Sequence, residues 1–342
     1  LGWSELLGQA QTVEAFKRAI GEETLAHSIF LWGGEGVGKS LAASLLAAHW
    51  LCLSPTDEGA CGECQACLLR LHQNHPDYIV IGREEGSRNI GIEAARQVGR
   101  ILSMSANISS RRVIYFPEAA AFTAEAANSL LKSIEEPPPG TLFILEARNE
   151  EELLLTIRSR SQAWRILPLL EPLMARWLEE KQGIEPEKAL LLARLSGGSL
   201  GIALKSTEEA DSPRDAVLNW LGALPGWNGV DIVRAAAELD KTKKDKMPHP
   251  LISHVEESFS IFRDLLVLDE TGNTVGLIHQ DRIEELKKLS PIWQGAVLLE
   301  GWELLEKAKA ALERNGNPRL WTEWLWIQFS QKLDKYNQVE RQ

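Results

Sequence analysis

The segment Gly33-Gly34-Glu35-Gly36-Val37-Gly38-Lys39-Ser40 constrains this chain more than any other. It fits G-x-x-x-x-G-K-[ST], and it lies between an apolar run with strand character, Ser28 to Gly33, and a helical pattern, Lys39 to Leu51. Glycines let a backbone wrap a polyphosphate so that its N–H groups and the helix N-terminus face the anion. Lys39 then reaches the outer phosphates and Ser40 offers a hydroxyl to magnesium, so ATP or ADP with Mg2+ is the expected ligand. The competing reading is a glycine turn without a ligand, and the strand-to-helix context argues against it.

Further strand-like runs follow at Asp77 to Ile81, Arg112 to Phe116, Thr141 to Ala147 and Gln162 to Ile166. Helical patterns separate them at Ile92 to Met104, Thr123 to Glu136 and Glu150 to Arg158. Alternation of this kind predicts an α/β domain with a parallel sheet covered by helices on both faces, spanning 1–167. Beyond Pro168 the strand-like runs stop. Glu171 to Lys181 and Pro186 to Leu195 read as a small helical lid over 168–206, closed by Gly197, Gly198 and Gly201. Ser206 to Arg214 is the linker candidate, Lys241 to Lys246 a charged loop, and 207–342 an all-α domain. Trp220, Trp227, Trp293, Trp302, Trp321, Trp324 and Trp326 crowd that last part, and core packing explains them better than base stacking.

Cys52, Cys61, Cys64 and Cys67 are the four cysteines, spaced C-x8-C-x2-C-x2-C directly after the Lys39 to Leu51 helix. Four thiolates so close suit one tetrahedral Zn2+, and a complete set of sulfur ligands leaves no position for water or substrate, which predicts a structural site. His72 and His75 lie nearby but are not needed to complete that set. A disulfide is the alternative; a chain without an export signal in its first residues is expected to be soluble and cytoplasmic, where thiols stay reduced. The net charge is −11, so direct DNA binding by the isolated chain should be weak and salt-sensitive. No apolar run approaches the roughly 18 to 20 residues of a membrane span.

Hydrolysis needs a carboxylate at the end of the strand beside the loop. Arg112 to Phe116 runs instead into Pro117-Glu118-Ala119-Ala120, which leaves Glu118 as the one acid there, either polarising a water or simply exposed at a helix approach.

The phosphate loop, the cysteine insertion behind its helix and Leu130-Leu131-Lys132-Ser133-Ile134-Glu135-Glu136-Pro137-Pro138 together resemble the clamp-loader subunits of bacterial DNA polymerase III. Thr156-Ile157-Arg158-Ser159-Arg160-Ser161 is similar to that family's Ser-Arg-Cys motif, with serine last, and Asn315-Gly316-Asn317-Pro318-Arg319-Leu320 resembles a C-terminal signature of one subunit type. The resemblance implies an AAA+ module, a lid and a helical collar. It also implies a hetero-pentamer with gamma/tau and delta subunits that loads the sliding clamp onto primed DNA during replication. Arg160 would then be an arginine finger acting in trans on a neighbour's ATP; without the resemblance it reads as a cation at a helix end. Pro117 and Ala120 stand where the motor subunits carry aspartates, Ala147-Arg148 where a polar sensor is expected, and Ile202 where a sensing arginine would sit. These departures favour a stator that binds nucleotide but turns it over poorly. The alternatives are an active gamma/tau-like motor in which Glu118 suffices, and an unrelated P-loop phosphotransferase, which leaves Ile157 to Ser161 unexplained.

Overall fold

Five strands form one parallel sheet in the order β2-β3-β4-β1-β5: β1 Ser28–Trp32, β2 Tyr78–Val80, β3 Arg112–Phe116, β4 Thr141–Ala147 and β5 Gln162–Arg165. The computed structural model describes residues 2–84, 86–208, 213–241, 250–274, 276–314 and 316–339. The central strands β3 and β4 are buried at every residue, as strands covered on both faces must be, which is why they read as largely apolar runs, with Arg112, Thr141 and Glu146 as the polar exceptions. β2 and β5 are the edges and are partly exposed. One face is covered by α1 (Ala10–Gly21) and α2 (Lys39–Leu51), with Phe16, Leu45, Leu46 and Leu51 packed on Ile29, Leu31 and Ile144. After α3 (Gln65–Leu71), the chain covers the other face with α4 (Ile92–Leu102) and α5 (Ala124–Glu135), which place Val98, Leu130 and Ile134 on Phe116, Phe143 and Leu145. Thr123 caps α5, its hydroxyl accepting from the Ala126 N–H at 3.2 Å.

Three sequence expectations are corrected. Glu150 to Arg158 is not one helix: a 3-10 turn at Glu150–Glu152 is followed by an extended Leu153 and then α6 (Leu155–Arg158). The Asn149 side chain accepts from the Glu152 N–H at 3.1 Å and the Glu152 carboxylate accepts from the Arg148 N–H at 2.9 Å, so local side-chain bonds replace the helical ones. After α7 (Glu171–Gln182) and α8 (Pro186–Leu195), Gly201 does not close the helical unit but lies inside α9 (Leu200–Glu208). The linker expected at Ser206 to Arg214 is partly helical, because α9 runs on to Glu208 and α10 (Pro213–Ala223) begins at Pro213. The charged loop expected at Lys241 to Lys246 lies outside the described residues beyond Lys241, as does Asn315.

The chain divides into two compact units, Leu1–Leu204 and Lys205–Gln342. In the second, α10, α11 (Gly229–Lys241), α12 (Pro250–Thr271), α13 (Ile283–Leu289), α14 (Ala296–Glu313) and α15 (Pro318–Val339) surround one apolar core. Trp293 is fully buried against Phe262 and Phe329, and its indole N–H donates to Leu221 O at 3.1 Å, which satisfies the one polar atom it takes inside. Trp220 and Trp326 pack at 5.6 Å between ring centres, so the tryptophans do serve as core. Among the described residues no helix is long and apolar enough to cross a membrane.

Candidate functional site

The loop between β1 and α2 is shaped by backbone that side chains cannot adopt. Gly33 has φ of 153°, and a Cβ there would lie 2.3 Å from Ile166 O at the end of β5. Gly36 has φ of 69° and faces the start of α9: its carbonyl accepts from the Gly201 N–H at 2.9 Å, and a Cβ on it would meet the Ser199 hydroxyl at 2.4 Å. The Ser199 hydroxyl in turn donates to Glu35 O at 2.7 Å. The first turn of α9 therefore holds the loop from behind.

Lys39 opens α2 and folds back over the loop, donating to Gly33 O at 2.8 Å and Gly34 O at 2.7 Å. Burial lowers its pKa from the ordinary lysine value; the Glu146 charge opposes that shift and Arg148 adds to it. The Ser40 hydroxyl donates to Glu146 Oε2 at 3.0 Å, and the Tyr115 hydroxyl donates to Glu146 Oε1 at 2.6 Å. Glu146 is only 3% exposed, and burial pushes its carboxyl up despite the two hydrogen bonds and the Lys39 charge. A cavity of about 520 Å3 opens over these groups, with Glu35, Gly36, Lys39, Ser40, Glu118, Glu146 and Arg148 in its lining. Arg148 pairs with Glu35 at 3.3 Å across its mouth.

Glu118 follows Pro117 at the end of β3 and forms a two-pronged ion pair with Arg83, one arm being Nε to Oε2 at 2.8 Å. Its carboxylate is thus engaged at the rim of the cavity. Arg160 does not line this cavity. It pairs through Nε with Glu135, the sixth residue of the Leu130 to Pro138 motif, and donates from Nη1 to Thr156 O at 2.9 Å. Ile202 lies in the first turns of α9, its N–H donating to the Ser199 hydroxyl at 3.3 Å. Glu146 was not singled out from the sequence, although an acid inside the run Leu142 to Ala147 is a usable signal: a strand buried on both faces keeps a carboxylate only when something binds it.

The cysteine cluster lies at the other end of α2, where Cys52 is the C-cap. Cys61 and Cys64 precede α3, and Cys67 is on it. The four sulfurs lie within 4.8 Å of one another. The separations are 3.5 Å for Cys52–Cys61, 3.8 Å for Cys52–Cys64, 3.9 Å for Cys61–Cys67 and 3.6 Å for Cys52–Cys67. A tetrahedron of Zn–S bonds of about 2.3 Å puts its corners about 3.8 Å apart, so the donor set fits that ion. All four are free thiols, with none paired in a disulfide. Backbone N–H groups support the sulfurs, Cys61 N–H pointing at Cys52 Sγ (3.3 Å) and Cys64 N–H at Cys61 Sγ (3.4 Å). Burial works against ionising Cys64, yet N–H groups of Leu53 and Cys67 and the neighbouring thiols bring it down to about 6.

The sheet order, the glycine-rich loop between β1 and α2 and the small helical unit that backs it define a P-loop module of the AAA+ type. The sequence pattern of the family described as DNA polymerase III, delta subunit, matches residues 8–169. The chain is 30% identical over 346 residues to the DNA polymerase III subunit delta' of Pseudomonas aeruginosa, covering 96% of this chain and 95% of that one. It is 35% identical over 178 residues to the subunit delta' of Escherichia coli, where the match spans 52% of this chain and 53% of the relative's length. A solved gamma subunit-related protein of DNA polymerase III from Thermotoga maritima covers 94% of this chain and 99% of its own, at 18% identity and a TM-score of 0.46. The chain belongs to the DNA polymerase III delta' subunit family.

Proposed function

We propose that this chain is a clamp-loader subunit of the bacterial DNA polymerase III assembly and acts there as a stator. It would join gamma/tau and delta subunits in a hetero-pentamer that places the sliding clamp on primed DNA, in the cytoplasm. The carrying observation is the likeness to a delta' subunit over nearly the whole chain. The site agrees with the stator role: β3 is followed by Pro117 rather than an acid, and the remaining carboxylate, Glu118, is ion-paired with Arg83 instead of standing free to polarise water.

In this reading Gly33 to Ser40 bind ATP or ADP with Mg2+, Lys39 neutralises the outer phosphates and Ser40 offers its hydroxyl to the cation. Turnover by the chain itself is weak. Residues 168–206 form the lid and 207–342 the collar through which the ring assembles. Zn2+ held by Cys52, Cys61, Cys64 and Cys67 is structural, because four sulfurs leave no open position on the metal. Arg160 serves the neighbouring subunit's ATP as a finger in trans; releasing it from Glu135 is part of docking that neighbour.

The test has two arms. Purified chain should bind a labelled ATP analogue with magnesium yet show almost no steady-state hydrolysis. Robust turnover that disappears in Lys39→Ala would instead make the chain a motor. In a reconstituted loader, Arg160→Ala should slow ATP turnover by about a thousandfold at the site it faces, while the ring still assembles. Unchanged turnover removes the finger role.

A further inference from the structure

We infer that Glu146 is the residue that positions Ser40 for a divalent cation, supplying from β4 the carboxylate that β3 lacks at Pro117. The inference rests on the reading of the loop as a magnesium–nucleotide site.

The strand register places the substitution. Phe116 of β3 pairs with Leu145 of β4, so Pro117 and Glu146 are the next residues along the two neighbouring strands. On its other side Glu146 is level with Leu31 of β1, the strand that leads into the phosphate loop. Glu146 and Ile144 point to one face of the sheet, as do Pro117 and Tyr115, and that face carries α2. An acid at position 117 would therefore approach the start of α2 from the adjacent strand. Glu146 reaches the same place and accepts a hydrogen bond from the Ser40 hydroxyl, with 3.0 Å between the two oxygens.

The hydrogen bond has a direction that matters. With its hydrogen committed to Glu146 Oε2, the Ser40 oxygen has only lone pairs left to offer, which is the orientation a metal-ligating hydroxyl needs. Tyr115 fixes the second carboxylate oxygen at 2.6 Å, so the carboxylate cannot rotate away from Ser40. Glu118 does not do this job: it is paired with Arg83, and its side chain is 41% exposed. Nor does packing ask for an acid at 146, since Leu142, Ile144 and Ala147 beside it are ordinary core residues. A carboxylate at 3% exposure is costly unless its charge is used.

The experiment is equilibrium binding of a fluorescent ATP analogue to the full chain, with magnesium and with a magnesium chelator, for wild type, Glu146→Gln, Ser40→Ala and the double variant. Glu146→Gln should weaken binding about tenfold or more with magnesium and hardly at all without it. The double variant should be no worse than Ser40→Ala alone, because both act on one cation. Adding Pro117→Asp to Glu146→Gln should return part of the magnesium dependence. Equal loss in both conditions would make Glu146 a structural residue, and no loss with magnesium would remove it from the site; either outcome overturns the inference. Absence of binding by wild type in both conditions overturns the nucleotide reading itself. If Glu146→Gln fails to fold, Tyr115→Phe keeps the ring and the carboxylate. It should then give a smaller loss confined to magnesium, and no such loss overturns the inference.

Discussion

The two ends of α2 are built on opposite plans. At its N-terminus the phosphate loop is held entirely by its own chain: Lys39 bonds two loop carbonyls, Gly201 and Ser199 bond two more, and Ser40 is tied to Glu146. At its C-terminus the cysteine segment has little apolar cover. Leu53, Leu68 and Leu71 are exposed, and the seven-residue α3 is its one helix among the described residues. Too few buried side chains are available there to offset the ordering of the backbone. Thus one end keeps its shape through its own hydrogen bonds, while the other brings four sulfurs together under little apolar cover, as a segment that a metal ion would order. One helix can carry both because the two sites lie at its opposite ends, Lys39 and Ser40 at the start and Cys52 at the C-cap.

The sharpest way to break that comparison is to take the metal away. Cys64→Ser, or a strong chelator, should lower zinc content from about one ion per chain and leave amides between Cys52 and His75 open to hydrogen exchange, with protection of β1, β3 and β4 retained. Full protection of the cysteine segment without metal would show that the chain holds it unaided. Gly33→Ala comes next. Its φ of 153° and the 2.3 Å approach to Ile166 O leave no room for a methyl group, so denaturant unfolding should report a loss of about 2 kcal/mol or more. A smaller loss would mean that the loop is less fixed than its hydrogen bonds imply.

A buried ion cluster in the second unit offers a control that needs no ligand. His279 is fully buried, with Nδ1 at 2.8 Å from Asp264 and Nε2 at 3.0 Å from Glu257. Arg263 and the Ser260 hydroxyl stand beside these groups. Burial disfavours the charged ring, but the two carboxylates outweigh it and raise its pKa above the ordinary histidine value; Asp264 is held low, its burial outweighed by the bonds from His279, Ile278 and Arg263. A raised folded-state value means the stabilisation is complete below about pH 6.5 and is lost as pH rises through the folded value. Asp264 adds stability that is present above about pH 3.9 and is lost on acidification. The unfolding midpoint should therefore fall as pH rises through the folded value of His279, and His279→Gln should flatten that slope. The smallest effect on stability is expected from Lys39→Ala, within about 0.5 kcal/mol in denaturant, together with complete loss of nucleotide binding. A larger destabilisation would mean that the bonds from Ser199, Gly201 and Ser40 do not keep the loop in place once the lysine is gone.

The sheet was legible because its central strands are largely apolar on both faces and its loop has a fixed spacing; β3, β4, α2 and α8 begin and end where the patterns place them. The cysteine cluster was legible for the same reason, spacing tied to chemistry. Glu146 was not singled out, because a strand pattern weighs the run as a whole and says nothing about which backbone neighbour a single acid will meet. The break at Leu153 depends on Asn149 and Glu152 capping locally, a competition that helical spacing does not register. Gly201 read as a stop because glycine usually ends a helix, whereas here its missing side chain admits a partner distant in sequence. Likewise Arg160 is marked by its motif, but its pairing with Glu135 appears only once α5 and α6 pack together.

The contact between Gly36 and Gly201 also says something about how such a chain can change over generations. A Cβ on Gly36 would come within 3.1 Å of the Gly201 Cα, and a Cβ on Gly201 within 2.9 Å of the Gly36 Cα. Neither position can drift while the other stays, and an enlargement at one has no compensating reduction left at the other, since both are already the smallest residue. Descendants of this sequence can retire the lysine or the serine of the loop one substitution at a time. The glycine pair can be abandoned only by moving α9 as a whole, so it should outlast the lysine and the serine of the loop it frames.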